Sequence, residues 1–425
     1  MSFRLLETLS NLWNNLFLEE PKLGKLQWRK LKSLLKHSYE NVPFYHRKFD
    51  QAKIKPDDIR TIEDLGKIPF TTKTELQRFP LEYLTARNID LETCTKTRTS
   101  GSTGTPLNLL LDRRTVDESS QLWARMYLRN GLRIWDKMVV IRDPNYFPKK
   151  SRFQNLRGHV IKRKYISAFE DAEHHIRILR QYRPGAIKGY SSSLGEIARV
   201  LKDRGEHIRP RLIFTGAAIL TRLARSLIGE SFGVEPFDNY GTMEFSLLAW
   251  ECKKHIGYHV NADSVVMEFL YEDENVAAGE RGEVVCTGLT NYAMPLIRYK
   301  LDDVAVPIDE ECSCGVKLPL LKSVEGRLND FLIATDGRRI PPSRFYPFPF
   351  DDYIGIRQFK VTQSGSDRLV VQLAVEKDLF DFSRLEKARL KIQELFGVDM
   401  QVRFDIVEKI EMDKTGKMRP ISRLF

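Results

Sequence analysis

The chain has 425 residues, 42% hydrophobic and 29% charged, and 68 Lys and Arg against 57 Asp and Glu leave a formal net charge of +11. That composition excludes a disordered chain and suits two or three domains, while the lack of any run of 18 apolar residues excludes a transmembrane helix. Five cysteines are too few for a disulfide framework, and the N-terminus lacks a signal-peptide apolar region, so a cytoplasmic protein is expected.

The cations are scattered with no block of five, which favours nucleotides or other small anions over nucleic acid. Over residues 3–17, Leu5, Leu6, Leu9, Leu12, Trp13, Leu16 and Phe17 recur at near-helical spacing. This helix can dock on the core, pair with a second subunit in a homodimer, or touch a membrane. Its weakly basic polar face favours the first two. A second helix is expected over 25–38, with Leu26, Leu31, Leu34 and Leu35 on one side.

From residue 137 strands and helices alternate. Strands are expected at 137–142, 186–190, 211–216 and 234–240, and helices at 171–182 and 221–233. Between them, Ser193 and Glu196 suggest a capping box for a helix ending at Gly205. The pattern predicts a parallel sheet covered by helices, with ligands beyond the carboxyl ends of its strands. Residues 258–308 switch to period-2 strands, SVVMEFL and EVVCTGL, which suggests a small antiparallel region or barrel. Residues 331–425 read as a separate α+β segment. It opens with a hairpin turning at Asp336-Gly337, then strands near 357–363 and 369–376, a helix near 382–395 and a strand near 401–407.

Four segments carry candidate chemistry. Thr99-Ser100-Gly101-Ser102-Thr103-Gly104-Thr105-Pro106 combines tight-turning glycines with hydroxyl and N–H donors suited to phosphate. Asn239-Tyr240-Gly241-Thr242-Met243-Glu244 follows an expected strand. Its Tyr can stack on a base, its Thr can bond phosphate and its Glu can hold Mg²⁺. In Arg298-Tyr299-Lys300-Leu301-Asp302-Asp303, an Asp kept ionised beside an Arg can accept from ribose hydroxyls. Lys414-Thr415-Gly416-Lys417 presents an ammonium group beside a flexible glycine.

A separate set joins Cys252 and a nearby His to Cys312-Ser313-Cys314-Gly315. With His255 or His259 it makes a Cys₃His group suited to tetrahedral zinc. His174 and His175 read as a solvated pair, and Arg142, Asp143 and Tyr146 as a loop that can line an acid pocket.

In this order the four segments resemble the adenylate-forming superfamily over essentially the whole chain. The segments MPLIRYKLDD, CSCG, VEGRLND and TGKMRPIS resemble its phenylacetate–coenzyme A ligase family, most of all the capsular-polysaccharide-associated branch. The resemblance implies an α/β fold with a large N-terminal adenylate-forming domain at 1–326. That domain holds parallel sheets flanked by helices and a small antiparallel region, and a small mobile α+β lid follows at 327–425. It implies activation of a small carboxylic acid by ATP and Mg²⁺ to an acyl-adenylate, then transfer to coenzyme A.

By the same resemblance Thr99 to Thr105 wrap phosphates, and Gly216, Ala217, Ala218, Asn239 and Gly241 line the nucleotide. Tyr240 stacks on adenine, Thr242 bonds the α-phosphate and Glu244 holds Mg²⁺. Asp303 and Arg327 sit at the ribose, and Lys417 is the catalytic lysine. Cys252, His259, Cys312 and Cys314 hold a structural zinc, with His259 preferred to His255. Thr105, Ala218 and the hinge Asn329 depart from the common family pattern. The competing readings are adenylyl transfer to, or amide formation on, a cofactor or sugar precursor, and a nucleotide-binding protein without turnover.

Overall fold

A computed structural model describes residues 10–99, 106–148, 162–345, 348–350, 354–410 and 420–425. Its packing gives two compact units: Met1–Gly131 with Asn239–Val324, and Leu132–Asp238 with Glu325–Phe425. These units are defined by packing, whereas the expected boundary at 326/327 is a division by role. No helix among the described residues is long and apolar enough to cross a membrane.

The first unit begins with a short helix α1 (10–15), and Leu12 within it and Leu16 in the turn after it are buried. The Leu16 carbonyl accepts from the Lys317 N–H at 2.7 Å, so this segment docks on the core. Residues 3–9 of the expected 3–17 helix lie outside the described residues. Helix α2 (Glu20–Asn41) buries Leu23, Leu31, Leu34 and Leu35 along one stripe. It stops before Pro43, because a residue preceding proline disfavours helical ψ, and Pro43 opens α3 (Pro43–Gln51). After the single turns α4 (Lys73–Leu76) and α5 (Leu81–Leu84) come the hairpin β1 (Thr95–Arg98) and β2 (Asn108–Leu111) and the long helix α6 (Arg113–Arg129).

The chain then builds part of the second unit. Strands β3 (Lys137–Arg142), β4 (Lys162–Ser167), β5 (Ala186–Tyr190) and β6 (Leu212–Gly216) form a parallel sheet in the order β4-β3-β5-β6. Helices α7 (Ala172–Tyr182), α8 (Ser191–Asp203) and α9 (Arg222–Phe232) pack on it through Ile176, Leu194, Ile197, Ile228 and Phe232. Asp171 and Thr221 cap α7 and α9, and Gly233 ends α9 with φ +70°.

Three expectations fail here. Helix α8 starts directly after β5 at Ser191, with no side-chain cap, and Ser193 is buried inside its first turn, so there is no Ser193–Glu196 box. Residues 234–240 form no full strand, because Pro236 lacks the N–H a ladder needs. Only Phe237 bridges β6, at Phe214. His175 is 2% exposed and its Nε2 bonds the Ser167 carbonyl at 2.8 Å, so it is a packed residue, not half of a solvated pair.

Back in the first unit, eight strands form one sheet in the order β11-β10-β12-β13-β14-β9-β8-β7. They are β7 (Asn239–Thr242), β8 (Ser246–Glu251), β9 (Tyr258–Val260), β10 (Val265–Tyr271), β11 (Glu274–Asn275), β12 (Gly282–Gly288), β13 (Tyr299–Ile308) and β14 (Leu320–Arg327). The expected antiparallel region is therefore the larger sheet of the protein, not a minor one.

The remaining segment of the second unit is α+β. The hairpin β15 (Leu332–Ile333) and β16 (Arg339–Ile340) turns through Gly337 at φ +87°. Strands β17 (Ile356–Gly365) and β18 (Arg368–Val375) pair antiparallel. Helix α10 (Arg384–Phe396) crosses to β19 (Gln401–Val407), parallel to β18, and β20 (Ile421–Arg423) lies parallel to β17.

The first unit is locked by a fully buried ion pair. The Arg125 Nη1 donates to Asp263 Oδ2 at 2.7 Å and to the Leu12 carbonyl at 2.6 Å; its Nη2 donates to Asp263 Oδ1 at 3.0 Å and Asn261 Oδ1 at 2.6 Å. Burial pushes the Asp263 carboxyl up, but Arg125 above all, then Lys30 and Asn15, hold it below its ordinary value. Its contribution is thus present above the unfolded carboxyl pKa and is lost as pH falls through the lower folded value. Arg125→Met leaves a buried carboxylate without its partner and should cost about 3–5 kcal/mol. A urea midpoint close to that of wild type would count against this role.

Candidate active site and metal centre

Strands β1 and β2 form the stem of the hydroxyl-rich loop, with Arg98 opposite Asn108. Thr99 closes the neck. Its N–H donates to the Leu107 carbonyl at 3.0 Å and its Oγ1 accepts from the Leu107 N–H at 2.9 Å. Thr99 is 7% exposed, so its hydroxyl oxygen holds the neck shut. Ser100, Gly101, Ser102, Thr103, Gly104, Thr105 and Lys417 lie outside the described residues.

The second motif sits on a tight connection between β7 and β8. Thr242 pairs with Ser246, and a bulge falls between Tyr240 and Gly241. A Cβ on Gly241 would lie 2.4 Å from the Ser246 carbonyl oxygen, which is why glycine is needed there. The Thr242 Oγ1 accepts from the Phe245 N–H at 3.2 Å. Ser246 has φ 61° and its hydroxyl meets Ser119 Oγ at 2.5 Å and accepts from Trp123 Nε1 at 3.1 Å. Both partners are on α6, so this helix fixes the turn that presents Thr242 and Glu244. A cavity of about 50 Å³ behind the turn is lined by Glu118, Ser119, Glu244 and Ser246.

The third motif meets the second directly. The Tyr240 hydroxyl donates to Asp303 Oδ2 at 2.6 Å. Burial, then the Asp303 charge, hold the phenol well above its usual range, so it stays a donor. The Tyr299 hydroxyl donates to Glu244 Oε1 at 3.5 Å and is likewise raised by burial and then by Glu244. Sequence reading did not single out Tyr299. The only signal was its place in the Arg298–Asp303 run.

Arg298 departs from expectation. It is 4% exposed, pairs with Glu268 at 2.9 Å, donates to the Gly66 and Ile68 carbonyls and lies 4.2 Å from the Phe70 ring centroid. It anchors the core, and the residue that bonds Asp303 of β13 is Tyr240 of β7, not Arg298.

In the second unit, β6 delivers Gly216, and Ala217 turns with φ 62°. The Thr215 hydroxyl donates to Asp238 Oδ1 at 2.6 Å, and the Ser191 hydroxyl donates to the Ile219 carbonyl at 3.0 Å, pinning the Ala217–Ala218 turn. Gly326, at φ +100°, packs against this turn, since a Cβ there would meet Ile219 Cδ1 at 2.9 Å. The Asp143 N–H donates to the Tyr190 hydroxyl oxygen at 3.1 Å, and the Arg142 guanidinium lies 5.5 Å from the Tyr146 ring, so these loop residues are structured.

The thiols and one imidazole form a compact group. Ligand atoms of Cys252, His259, Cys312 and Cys314 all lie within 4.8 Å of one another. Cys252 Sγ is 3.6 Å from Cys312 Sγ, and Cys314 Sγ is 3.4 Å from His259 Nε2. Tetrahedral bonds of about 2.3 Å to sulfur imply an S–S separation of about 3.8 Å, which the first distance matches, whereas a disulfide needs about 2.05 Å. Backbone N–H groups of Lys254 and Val316 point at Cys252 and Cys314 Sγ, each at 3.4 Å. Burial lowers His259 to about 4, so it is the neutral imidazole a metal requires, and burial pushes Cys252 up to about 12 in the metal-free protein. His255 instead faces Glu251 at 3.3 Å.

Gly241→Ala should lower thermal stability by an overpacking cost of about 1–3 kcal/mol. Gly66→Ala, where a Cβ meets nothing within 4 Å, is the control that should change little. Equal melting of both variants would remove the steric argument.

Residues 332–423 match the family described as the CapK C-terminal domain. A phenylacetate–coenzyme A ligase of Escherichia coli K12 is 26% identical over 405 residues, 90% of each chain. One from Thermus thermophilus is 28% identical, over 74% of this chain and 73% of that one. The protein CapK of Staphylococcus aureus is 23% identical, over 93% and 88%. The crystal structure of 2-hydroxyisobutyryl-CoA ligase in the postadenylation state superposes with a TM-score of 0.79 at 18% identity, covering 96% of this chain and 91% of that chain. The protein thus has the fold of 2-hydroxyisobutyryl-CoA ligase, resembles the phenylacetate–coenzyme A ligases over most of its length, and matches the CapK C-terminal domain over residues 332–423.

Proposed function

We propose that the protein uses ATP to convert a carboxylic acid to an acyl-adenylate with release of pyrophosphate, and then transfers the acyl group to coenzyme A. The observation that carries this reading is the hydrogen bond between Tyr240 and Asp303, which brings the expected adenine and ribose contacts to one place. Similarity to acid–CoA ligases along most of the chain supports it.

The roles follow from charge. A carboxylate attacking a triphosphate brings two anions together, and preorganised donors must offset that repulsion. The Thr99–Thr105 loop and Thr242 supply donors to phosphate oxygens, and Lys417 supplies an ammonium between the carboxylate and the α-phosphate. Glu244 offers the carboxylate oxygen that Mg²⁺ prefers, and Mg²⁺ when bound neutralises phosphate charge. Asp303 keeps acceptor capacity beside Tyr240 for ribose hydroxyls. The Ala217–Ala218 turn and Arg327 complete the nucleotide environment. Under this reading residues 327–425 are a lid that moves about Asn329, carrying Lys417 in and shielding the hydrolysable anhydride from water. Cys252, His259, Cys312 and Cys314 would hold one structural zinc, since four protein ligands leave no open position. Five free thiols suit a reducing cytoplasm.

The test is pyrophosphate release from Mg-ATP, with hydroxylamine trapping the acyl group, across aryl, arylacetic, fatty, amino and sugar acids. Release should depend on the acid and fall by about 10²–10³ in Lys417→Ala and in Glu244→Gln. ATP binding without release for any acid would overturn the reading, and a product heavier by AMP would replace it with adenylyl transfer. Separately, metal analysis of the purified protein should find one zinc per chain, lost in Cys312→Ser together with part of the thermal stability. Full stability without zinc would exclude a structural metal.

A further inference from the structure

Helix α2 carries a second pattern opposite its leucines. Lys22, Lys25, Arg29, Lys32 and Lys36 are all exposed, and their 3-4-3-4 spacing places them in one file on the solvent face. At 1.5 Å rise per residue the file runs about 21 Å. The neighbours in it are like-charged pairs three or four residues apart, an arrangement that opposes helix formation. Among the described residues, a carboxylate lies within 4 Å of just one of the five: Glu40 at 3.8 Å from Lys36.

A second element widens the file. Exposed Ser33 lies between Arg29 and Lys36, and its hydroxyl bonds the Tyr292 hydroxyl at 3.1 Å. The guanidinium of Arg114, exposed at the start of α6, lies 5.8 Å from the Tyr292 ring centroid. A cation from another helix therefore sits beside the row, and the charge covers a patch. The five cations and Arg114 are all exposed, on the face of α2 opposite its buried leucines and beside it. Leu23, Leu31, Leu34 and Leu35 are committed to the core, so no apolar face remains to insert into a bilayer.

We propose that this patch is a docking surface for an anionic lipid bilayer. A planar array of phosphate-bearing headgroups can meet the α2 file and the off-axis Arg114 at once. The attraction is electrostatic alone, so docking is reversible and sensitive to salt. The patch uses none of the residues assigned to nucleotide, acid or metal, and the inference is independent of the proposed reaction.

The test is flotation of the full-length protein with vesicles of phosphatidylcholine alone, and of phosphatidylcholine mixed with phosphatidylglycerol, at low and high salt. Wild type should float with the anionic vesicles at low salt only. Lys25→Glu/Arg29→Glu/Lys32→Glu should reduce partitioning by about tenfold or more. The neutral triple variant with Gln at these positions should fall between the two. Circular dichroism and vesicle-free turnover should stay at wild-type levels, because all three side chains are exposed. Equal partitioning of wild type and the charge-reversed variant, partitioning that survives high salt, or binding to phosphatidylcholine alone would overturn the proposal. So would wild type that ignores all vesicles yet binds soluble polyphosphate through these three residues, since the surface would then recognise a linear polyanion.

Discussion

A guanidinium with no access to water must have its charge and its donors met by protein, and Arg125 makes the first unit organise itself around that requirement. Its two terminal nitrogens are matched by Asp263, Asn261 and the Leu12 carbonyl, which joins α6, the segment before β10 and the N-terminal helix. Asn261 is satisfied in turn. Its Oδ1 also accepts from Trp250 Nε1 and its Nδ2 donates to the Leu247 carbonyl, so β8 is tied to the same centre. Removing one member leaves the others buried and unpaired, which is what makes the network demanding of geometry.

Because β8 is held this way, α6 works as a brace along it. Near one end Ser119 and Trp123 grip Ser246 and hold the turn that presents Thr242 and Glu244. At the other, Asn130 donates to the Glu251 carbonyl and Arg129 to the Cys314 carbonyl, beside the thiol cluster. The cluster therefore does for its loops what the arginine does for the core. It fixes Cys252 and the Cys312–Cys314 loop, 60 residues apart in sequence, to one point. The turn before β8 and the Cys252 loop after it are thus both braced by α6 and its C-cap.

Much of this was legible locally. The leucine stripe of α2, the helices expected at 171–182 and 221–233 and the period-2 strands around 265–288 each depend on residues a few positions apart, and they form close to where their pattern places them. The same locality misled at Ser193 and Glu196, where β5 runs straight into α8 and the serine is buried, and at 234–240, where Pro236 leaves one bridge at Phe237 and strand β7 begins only at Asn239. His175 was legible as helical but not as buried, because which face of α7 meets the sheet is decided by the strands beneath it.

By itself the sequence determined many of the helices and strands, which motifs are suited to phosphate, ribose and metal, and which family the order of those motifs resembles. These follow from side-chain volume, backbone freedom and donor chemistry over short spans. Only the tertiary structure decided that Tyr240 bonds Asp303, that Arg298 belongs to Glu268 and that Tyr299 reaches Glu244, whereas His259, preferred to His255 by resemblance, is the imidazole found with the three thiols. Those pairings span from a few to more than sixty residues. They depend on strand register and on which buried polar groups must be satisfied together, quantities that no local pattern encodes.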